Sequence, residues 1–506
     1  MFTTVRSTTL LGVVGREVDV EVHVGVGLPG FTIVGQPDEA CRESRDRVRA
    51  AFLSRGFSWP NRRITVNLAP SGERKGGAGL DLAIAIAVLI ADEQIHADIA
   101  TGISQRYAFV AELGLDGSLR GVVGAAPLVA AVRDRRVVVA ASNAAAARAA
   151  GAVDVVVASD LAHAVACLCG ESEWLQEDDT TTAVDLSSTP DLGDVRGQPT
   201  ARLALEIAAA GAHHLLLVGP PGAGKSMLAR RLPGILPPLS DEQSLACTMV
   251  HSAAHVPMPP SGRVTRAPFR APHHSVSLVG LIGGGTAAMR PGEVSLASEG
   301  VLFLDELGEF APSVLDALRQ PLEEGVVHVS RARTTLSFPA RFLLVAAANP
   351  CPCGSGVPGV CVCDDAARSR YLRRFSGPLL DRFDLRVAVG LPRVDDLVDA
   401  VKGESSSVVA ARVARVRALA TSRNGAPNAH ISVDELDSVA PLTTAARAGL
   451  RRELEVGRLS GRGLHRVRRV ARTIADLQGD AEVVDEHHVA AALQLRSGLV
   501  ALRGLA

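Results

Sequence analysis

One segment of the chain has the residue types and the spacing that bind a nucleoside triphosphate. It reads Gly219-Pro220-Pro221-Gly222-Ala223-Gly224-Lys225-Ser226. The glycines let several backbone N–H groups converge on phosphate oxygens. Lys225 supplies a positive charge for the β- and γ-phosphates, and the Ser226 hydroxyl is a ligand for Mg²⁺. An apolar run, Leu215 to Val218, precedes the segment and a helical pattern follows it, so the sequence predicts a site for ATP and Mg²⁺.

A second segment, downstream of the first, ends in two carboxylates. It reads Val301-Leu302-Phe303-Leu304-Asp305-Glu306. We interpret it as a Walker B element, in which Asp305 holds the Mg²⁺ hydration shell and Glu306 orients or deprotonates the attacking water. Taken alone the pattern is weak, because many buried strands end in acids. Its place after a complete phosphate loop makes it specific.

A third polar group follows the next apolar run. Asn349 closes the predicted strand Phe342 to Ala348, where its side chain can hold the lytic water near the γ-phosphate. The alternative is an ordinary turn at the end of the strand, formed together with Pro350.

Four thiols follow Asn349 within thirteen residues. They form two C-x-C pairs, Cys351 with Cys353 and Cys361 with Cys363. Four thiolates favour Zn²⁺, but paired zinc ligands are usually separated by two to four residues. A zinc site and a reduced, metal-free loop therefore both remain open. The other cysteines, which we interpret as buried or incidental, are Cys41, Cys167, Cys169 and Cys247.

The chain around these residues is too long for one core. At roughly 100–200 residues per domain, its 506 residues predict about three domains. Composition separates an N-terminal block (1–175), an acidic, Thr/Ser-rich linker (176–193), a core block (194–391) and a C-terminal block (392–506). We therefore predict a multi-domain α/β protein.

The apolar patterns predict the elements of each block. In the first block, strand-like runs accompany one apolar segment, Leu82 to Ala91, that could be a buried helix. The core block has continuous apolar runs typical of parallel strands covered on both faces. The last block has helical spacing. The predicted strands are Val18–Val24, Arg63–Asn67, Val137–Ala140, Leu215–Val218, Val301–Leu304 and Phe342–Ala347, and the helices are Val408–Ala420, Thr443–Leu454, Gly463–Leu477 and Val484–Leu495.

Charge and hydropathy restrict the partners. The chain has 53 basic and 54 acidic residues, so any surface that binds nucleic acid must be local. The longest purely apolar run, Leu82 to Ala91, is about half of the ~20 residues that a membrane helix needs. The N-terminus is a poor signal peptide, and we expect a cytoplasmic protein whose cysteines are thiols or metal ligands. Only Lys75, Lys225 and Lys402 are lysines.

Several longer motifs carry a resemblance to a known family. Nearly the whole chain resembles the ComM/YifB family of magnesium-chelatase-like AAA+ ATPases. The motifs are far more specific than a phosphate loop alone. They are Leu28-Pro29-Gly30-Phe31, Glu43-Ser44-Arg45-Asp46-Arg47-Val48-Arg49, Arg63-Ile64-Thr65-Val66-Asn67-Leu68-Ala69-Pro70, Arg270-Ala271-Pro272-His273-His274-Ser275, Gly283-Gly284-Gly285 and Pro291-Gly292-Glu293-Val294-Ser295-Leu296-Ala297.

The resemblance implies a P-loop AAA+ core with a parallel sheet, a C-terminal helical lid and a hexameric ring with ATP at the subunit interfaces. Arg382 resembles the arginine finger that reaches the neighbouring subunit's γ-phosphate; the alternative is a surface salt bridge with Asp381 or Asp384. Arg462 resembles the sensor 2 residue that touches the phosphates in cis. Gln198 resembles a position beside the adenine pocket.

The resemblance also implies that the first block is a Lon-protease-like α/β domain. Lon-type proteases use a serine shortly after a Lys-x-Gly element, together with a lysine. Here that element begins at Lys75, and Gly79 occupies the approximate place of the serine. The later region, Leu119 to Ala130, contains no lysine. Ser71 lies on the wrong side of the glycines, so we expect a domain without proteolytic activity.

Two adjacent histidines, His273 and His274, could suggest catalysis or metal binding. No acid or cysteine lies at a metal-ligand spacing from them. We therefore favour a structural role in ordering the insertion before the Walker B strand.

The substrate of the motor is the least constrained prediction. The family is associated with DNA branch migration during transformation, and we favour a DNA motor. Glu324 to Phe338 reads as a β-hairpin with Arg331 and Arg333, and such hairpins line the pore of related AAA+ rings. The stretch Arg447 to Arg472 has nine arginines and two glutamates, although a lid helix explains them at least as well. One alternative is a chelatase-like motor, for which the extra N-terminal domain is unfavourable and which would need a separate porphyrin-binding subunit. The other is an unfoldase that remodels a protein partner.

Overall fold

The structure is a computed structural model, in which the chain forms two compact units. It describes residues 2–72, 74–151, 154–176, 189–285, 289–331, 334–355, 360–375, 377–393, 395–396, 402–479 and 482–496. The first unit comprises residues 1–185, 240–265 and 285–291. The second comprises residues 186–239, 266–284 and 292–506. Of the linker predicted at 176–193, residues 177–188 lie outside the described residues.

The first unit is built on a mixed seven-stranded sheet. The strand Val14–Gly25 alternates buried valines with exposed polar residues, as a strand with one covered face should. It pairs antiparallel with the N-terminal strand, from Phe2 opposite His23 to Leu11 opposite Val14. In sheet order the strands are Gly30–Val34, Arg63–Ala69, Val14–Gly25, Phe2–Leu11, Tyr107–Val110, Arg136–Val139 and Asp154–Val157. A separate pair is Glu112–Leu113 with Leu119–Arg120.

Helices cover this sheet. Every residue of the helix Asp81–Ala91 is buried, which agrees with the predicted buried helix. The α-helices of the unit are Glu39–Ser54, Asp81–Ala91, Ala97–Arg106, Ala125–Ala130, Ala141–Ala149, Leu161–Leu168 and Asp241–Ala253, with a 3₁₀ turn at Ala78–Leu80. The last of these helices comes from the core block of the sequence. It joins the first unit through Ser252, whose carbonyl accepts from Gly124 N at 3.1 Å and whose Oγ accepts from Ala126 N at 3.2 Å.

The second unit contains a five-stranded sheet in which every neighbouring pair is parallel. Its three central strands are buried along their whole length, because helices cover both faces of such a sheet. In sheet order the strands are Phe269–Arg270, Val301–Leu304, Leu343–Ala348, Leu215–Val218 and Leu385–Ala388. The predicted α/β class with a parallel-sheet core is confirmed.

The helices of the second unit include the predicted C-terminal lid. Apolar residues of the long helix Gly461–Gln478 share one core with Leu205 and Leu215 of the nucleotide-binding part. The α-helices are Pro199–Gly211, Lys225–Ala229, Leu278–Ile282, Glu293–Leu296, Pro312–Ala317, Arg319–Glu324, Asp365–Leu372, Gly377–Leu380, Ser406–Asn424, Leu436–Val439, Thr444–Glu455, Gly461–Gln478 and Glu486–Gln494. The 3₁₀ turns are Leu192–Asp194, Leu232–Gly234, Leu307–Glu309 and Asn428–His430.

Short extended segments complete the chain. The strands Val326–Arg331 and Thr334–Pro339 pair antiparallel as a hairpin, as the sequence predicts, and Gly283–Gly284 and Arg290–Pro291 are also extended. Within the described part of the chain, no helix is both long and apolar enough to cross a lipid bilayer.

Candidate nucleotide site

The phosphate loop lies where the strand Leu215–Val218 ends. Gly219 N donates to Ala348 O of the neighbouring strand at 3.1 Å. A side chain is excluded at Gly219, because a Cβ there would lie 2.0 Å from Val389 O. Gly222 and Gly224 adopt positive φ values of 79° and 88°, a region that favours glycine. The loop then enters the helix Lys225–Ala229, whose N-terminus favours anions.

Lys225 lies at the centre of this site. Its Nζ donates to Gly219 O at 2.6 Å, to Pro220 O at 2.9 Å and to Asn349 Oδ1 at 3.2 Å. Burial lowers the pKa of Lys225, and the carboxylates of Asp305 and Glu306 oppose this by raising it. The ammonium is held by weak backbone acceptors that phosphate oxygens can replace.

Two oxygen ligands for Mg²⁺ meet beside the loop. Ser226 Oγ donates to Asp305 Oδ2 at 2.7 Å. The pair joins the first helix residues after the loop to the end of the Walker B strand. Hydroxyl and carboxylate oxygens are suitable partners for Mg²⁺ and its bound waters.

Glu306 follows Asp305 in an uncommon backbone conformation. Its φ is 51°, in the left-handed region where non-glycine residues are rare and strain accompanies function. His274 Nδ1 lies 3.5 Å from Glu306 Oε2. The sequence analysis missed this contact, because His274 is 32 residues upstream and no pairing pattern connects the two positions. His273 instead contacts Ser275, with Nδ1 to Oγ at 2.8 Å.

A cavity of about 360 Å³ opens between these groups. Most of the predicted phosphate, metal and hydrolysis residues line it together, which leaves room for a phosphate chain. The lining residues are Pro221, Gly222, Ala223, Gly224, Lys225, Ser226, Met227, Asp305, Glu306, Ala347 and Asn349.

Gln198 lies next to this loop. Its Nε2 donates to Gly390 O at 2.6 Å and lies 3.5 Å from Ala223 O. The residue precedes the helix Pro199–Gly211 with a φ of 53°. Gln198 therefore joins the phosphate loop to the strand exit at Gly390, and its place beside an adenine pocket stays a prediction.

Comparison with known proteins gives the family. Three family models match in order: subunit ChlI of Mg-chelatase (residues 20–143), magnesium chelatase subunit ChlI (191–397) and the ChlI C-terminal region (403–496). Competence protein ComM of Haemophilus influenzae is 43% identical over 97% of both chains. YifB of Escherichia coli is 41% identical over 97% of this chain and 96% of its own.

The chain belongs to the ComM/YifB family of magnesium-chelatase-like AAA+ ATPases. The predicted family is therefore confirmed, and the family implies the use of ATP and Mg²⁺. A more distant relative is the magnesium-chelatase 38 kDa subunit of Acidiphilium rubrum, 28% identical over 54% of this chain and 79% of its own.

Two family motifs of the AAA+ core meet in one ion pair. Arg270 donates to Glu293 through Nε and Nη2, both at 2.7 Å. This two-point contact holds the edge strand Phe269–Arg270 to the helix Glu293–Leu296 that precedes the Walker B strand. The contact gives a structural reason for both motifs.

Neither Arg382 nor Arg462 is among the described residues that line the cavity. Arg382 is buried and forms an ion pair with Glu323. Burial lowers the pKa of Arg382, and the neighbouring arginines at 466, 462 and 319 lower it further. The two predicted arginines therefore belong to one cationic cluster, and neither of them lines the cavity that Lys225 lines.

Several arginines of the lid form ion pairs within the second unit. Arg466 Nη1 donates to Asp384 Oδ1 at 2.6 Å, and Arg468 Nη2 to Asp437 Oδ1 at 2.7 Å. Arg472 Nη2 donates to Asp476 Oδ1 at 2.7 Å. These contacts favour the structural explanation of the Arg447–Arg472 stretch over a nucleic-acid surface.

The predicted hairpin has an apolar base and a polar end. Val327 and Phe338 are buried near the base, while Ser330 and Thr335 are exposed nearer the turn. Arg331 is the last residue of its strand, and Arg333 lies outside the described residues.

In the first unit, the Lys75–Asp81 element is occupied by internal contacts. Lys75 is buried and donates through Nζ to Pro70 O. Gly79 lies in the 3₁₀ turn Ala78–Leu80. Ser71 is exposed, and its carbonyl accepts from Gln36 Nε2 at 2.8 Å. Asp81 is paired with Arg47, whose Nε lies 2.6 Å from Asp81 Oδ2, which joins two further family motifs.

Proposed function

We propose that this protein is an ATP-driven ring motor that acts on DNA. Full-length similarity to a competence protein supports the DNA substrate. The assembled group of Lys225, Ser226, Asp305, Glu306 and Asn349 around one cavity carries the ATP-hydrolysing part of the proposal.

Each group has a role that its geometry supports. Lys225 exchanges its carbonyl acceptors for β- and γ-phosphate oxygens, and Ser226 with Asp305 holds Mg²⁺. Glu306 activates water, and Asn349 positions it near the γ-phosphate. His274, 3.5 Å from Glu306, is a positioning residue that keeps the carboxylate oriented until ATP binds.

The arginine cluster supports an active site completed by a neighbour. Arg382 and Arg462 lie near each other, and neither is among the described residues that line the cavity of their own chain. We propose that Arg382 leaves Glu323 when the chains assemble into a hexameric ring, and that it approaches the next subunit's γ-phosphate. The role of Arg462 in cis stays a prediction. An arginine supplied in trans stabilises transition-state charge and makes hydrolysis depend on assembly.

Mixing two inactive variants tests this arrangement. Lys225→Ala destroys the nucleotide site of its own subunit, whereas Arg382→Ala removes only what that subunit gives to its neighbour. An equimolar mixture should recover about a quarter of the wild-type ATPase rate, since one interface in four then has both intact groups. A mixture as inactive as either variant would place Arg382 in its own subunit's site or in folding alone.

The hairpin supports the DNA-binding part. It lies in sequence between the Walker B strand and the Asn349 strand, and the sequence of the segment includes the predicted DNA contacts Arg331 and Arg333. Arginine binds the phosphate backbone through charge, without base-specific contacts. Such contacts suit a motor that moves along any sequence.

The ATPase rate measured against added DNA tests the substrate. Single strands, duplexes and four-way junctions are compared at two salt concentrations, with Glu306→Gln as the hydrolysis-deficient reference. The double variant Arg331→Ala/Arg333→Ala should weaken DNA binding about tenfold and reduce its salt dependence. Its matched control, Arg451→Ala/Arg452→Ala, removes the same charge from exposed positions of a lid helix.

Equal ATPase rates with and without every DNA form, and no binding, would reject the DNA motor. Chelatase-like or unfoldase action on a protein partner would then take its place, supported by the chelatase family models. No porphyrin is expected in either case. We further propose that the first unit is a scaffold without proteolytic activity, since Gly79 stands where a serine nucleophile is needed.

A further inference from the structure

A group of four thiols lies directly behind the nucleotide site. The Sγ atoms of Cys351, Cys353, Cys361 and Cys363 all lie within 4.8 Å of one another. The Cys351–Cys353 separation is 3.3 Å, and Cys361 Sγ lies 3.5 Å from each of these two. Two C-x-C pairs, distant by eight or more residues in sequence, therefore converge on one point.

These separations suit one tetrahedral ion. Zinc–sulfur bonds of about 2.3 Å place the four sulfurs of a tetrahedral site about 3.8 Å apart. A disulfide would require about 2.05 Å, far less than the 3.3 Å of the shortest pair. A 4Fe–4S cluster binds each thiolate to a different iron, and a 2Fe–2S cluster binds two thiolates to each of two irons, so both spread the four sulfurs more widely than one ion does.

The loop also provides the contacts that support thiolate ligands. Gly354 N donates to Cys351 O at 2.9 Å, with a φ of 82° at Gly354, so the chain turns back after the first pair. Cys353 N donates to Cys363 Sγ at 3.4 Å. The Arg368 guanidinium donates to the Cys361 thiol. A four-thiolate zinc centre carries two negative charges, and these N–H donors and the arginine reduce its electrostatic cost.

The same loop contacts the ATP-binding machinery. Cys351 follows Asn349 by two residues, and the Tyr371 hydroxyl donates to Asn349 O at 3.1 Å. A Cβ at Gly354 would lie 2.8 Å from Pro221 Cδ, so the loop backbone packs directly on the phosphate loop. The shape of the cysteine loop thus determines where Asn349 and Pro221 lie.

We propose that Cys351, Cys353, Cys361 and Cys363 bind one Zn²⁺ ion, which fixes this loop against the phosphate loop and behind Asn349. Each thiol releases its proton to solvent as its sulfur binds, so one Zn²⁺ displaces four protons. The bracing of Asn349 rests on the proposed function, whereas zinc binding does not.

Metal content tests the binding directly. The purified full chain should contain one zinc per chain by elemental mass spectrometry, and a mercurial thiol reagent should release it in step with four thiols. Cys353→Ser and Cys361→Ser should retain below about a fifth of the metal. Cys169→Ser, a control in the first unit, should retain all of it. Cys353→His keeps a zinc ligand and should restore binding.

Wild-type chain with four freely reactive thiols and no metal would overturn the proposal, as would iron in place of zinc. The thiol titration of the unmutated chain gives this answer even if the serine variants fail to fold.

Zinc removal from the wild-type chain tests whether the bound ion helps to position Asn349. The ATPase kcat should fall about tenfold, because a 1 Å displacement of a positioning residue has effects of this size or larger. Binding of a fluorescent ATP analogue should change less than the kcat. An unchanged kcat after complete zinc loss would reject the brace. An inactive chain that still holds one zinc would instead reject the proposed ATPase residues.

Discussion

The two units each contain a glycine-rich loop that carries one of the three lysines of the chain. In the second unit the loop ends at Lys225 and opens the helix Lys225–Ala229, with Asp305 nearby. In the first unit Lys75 begins the loop, which leads into the helix Asp81–Ala91. Glycines, a buried lysine and a carboxylate therefore occur twice on one chain.

The two loops differ in what their polar groups contact. Lys225, Ser226 and Asp305 line a cavity that can hold a phosphate chain. Asp81 instead accepts hydrogen bonds from Arg47 and Ser44, and from Leu113 N at 3.3 Å. Among the described residues that line the cavity of about 400 Å³ in the first unit, neither Lys75 nor Asp81 occurs.

This difference separates a binding site from a structural network. In the loop that ends at Lys225, a ligand can replace the weak backbone acceptors of the lysine. In the loop that begins at Lys75, the following Asp81 carboxylate forms an ion pair with Arg47. This pair holds the helix Glu39–Ser54 to the helix Asp81–Ala91. Composition and local spacing do not distinguish the two loops, because the deciding contacts come from distant parts of the chain.

The largest contrast is expected between the two lysines. Lys225→Ala should reduce the ATPase rate at least about 100-fold, because Lys225 is the one cation among the described residues that line the cavity. Lys75→Met should leave the rate per folded chain within about twofold and lower the free energy of unfolding by about 1–3 kcal/mol. Steady-state ATPase assays and urea denaturation measure both. A Lys75→Met chain that is folded but inactive would mean that the first unit takes part in hydrolysis.

The second contrast is between Glu306 of the nucleotide site and the Arg47–Asp81 ion pair of the first unit. Glu306→Gln should slow hydrolysis about 100-fold with ATP binding retained, since the amide cannot accept a proton from water. Arg47→Ala should lower the free energy of unfolding by about 3–5 kcal/mol, because it leaves the buried Asp81 carboxylate unpaired. Nucleotide-binding titrations and chemical denaturation distinguish the outcomes. Equal losses of stability in both variants would contradict the division into site and network.

Much of the second unit could be predicted from the sequence, because its signals are local. The phosphate loop, the strand Val301–Leu304 and the strand Leu343–Ala348 each combine an apolar run with a functional residue at its end. Parallel strands bring their carboxyl ends to one edge of the sheet, so the grouping of Lys225 with Asp305 and Asn349 follows from the pattern.

Other features could not be predicted, since they depend on long-range contacts or lack an apolar pattern. The N-terminal strand buries Ser7, Thr8 and Thr9, so no hydrophobic alternation marks it. Ser7 Oγ instead donates to Phe109 O at 2.6 Å. Likewise, no local signal assigns the helix Asp241–Ala253 to the first unit or brings His274 to Glu306.

The adjacent histidines give a smaller, sharper test of the nucleotide site. His274→Ala should lower kcat about three- to tenfold with little change in KM for ATP, because Glu306 loses its orienting partner. His273→Ala is the matched control: its Nδ1 contacts Ser275, and its ring packs on that of His274 with centroids 4.0 Å apart. Because His273 does not contact Glu306 directly, this variant should stay within about twofold of wild type. Equal effects of both substitutions would indicate that the pair only orders the segment before the Walker B strand.

The smallest effect concerns two buried aspartates, one in each unit. Burial raises the pKa of Asp81, and its bonds to Arg47 and Ser44 only partly offset this. Burial alone would also raise the pKa of Asp384, but His213 and Arg466 lower it below its ordinary value. The two carboxylates should therefore change stability in opposite directions with pH.

The signs follow from proton linkage. The lowered pKa of Asp384 adds stability above its unfolded value of 3.8, which is lost as the pH falls below it. The raised pKa of Asp81 adds stability at low pH, which is lost as the pH rises through the folded pKa. On acidification from about pH 5 towards about pH 3, the stability difference between wild type and Asp384→Asn should shrink. The difference for Asp81→Asn should grow. Urea midpoints across this range measure both, and parallel slopes would show that the two aspartates have similar electrostatic environments after all.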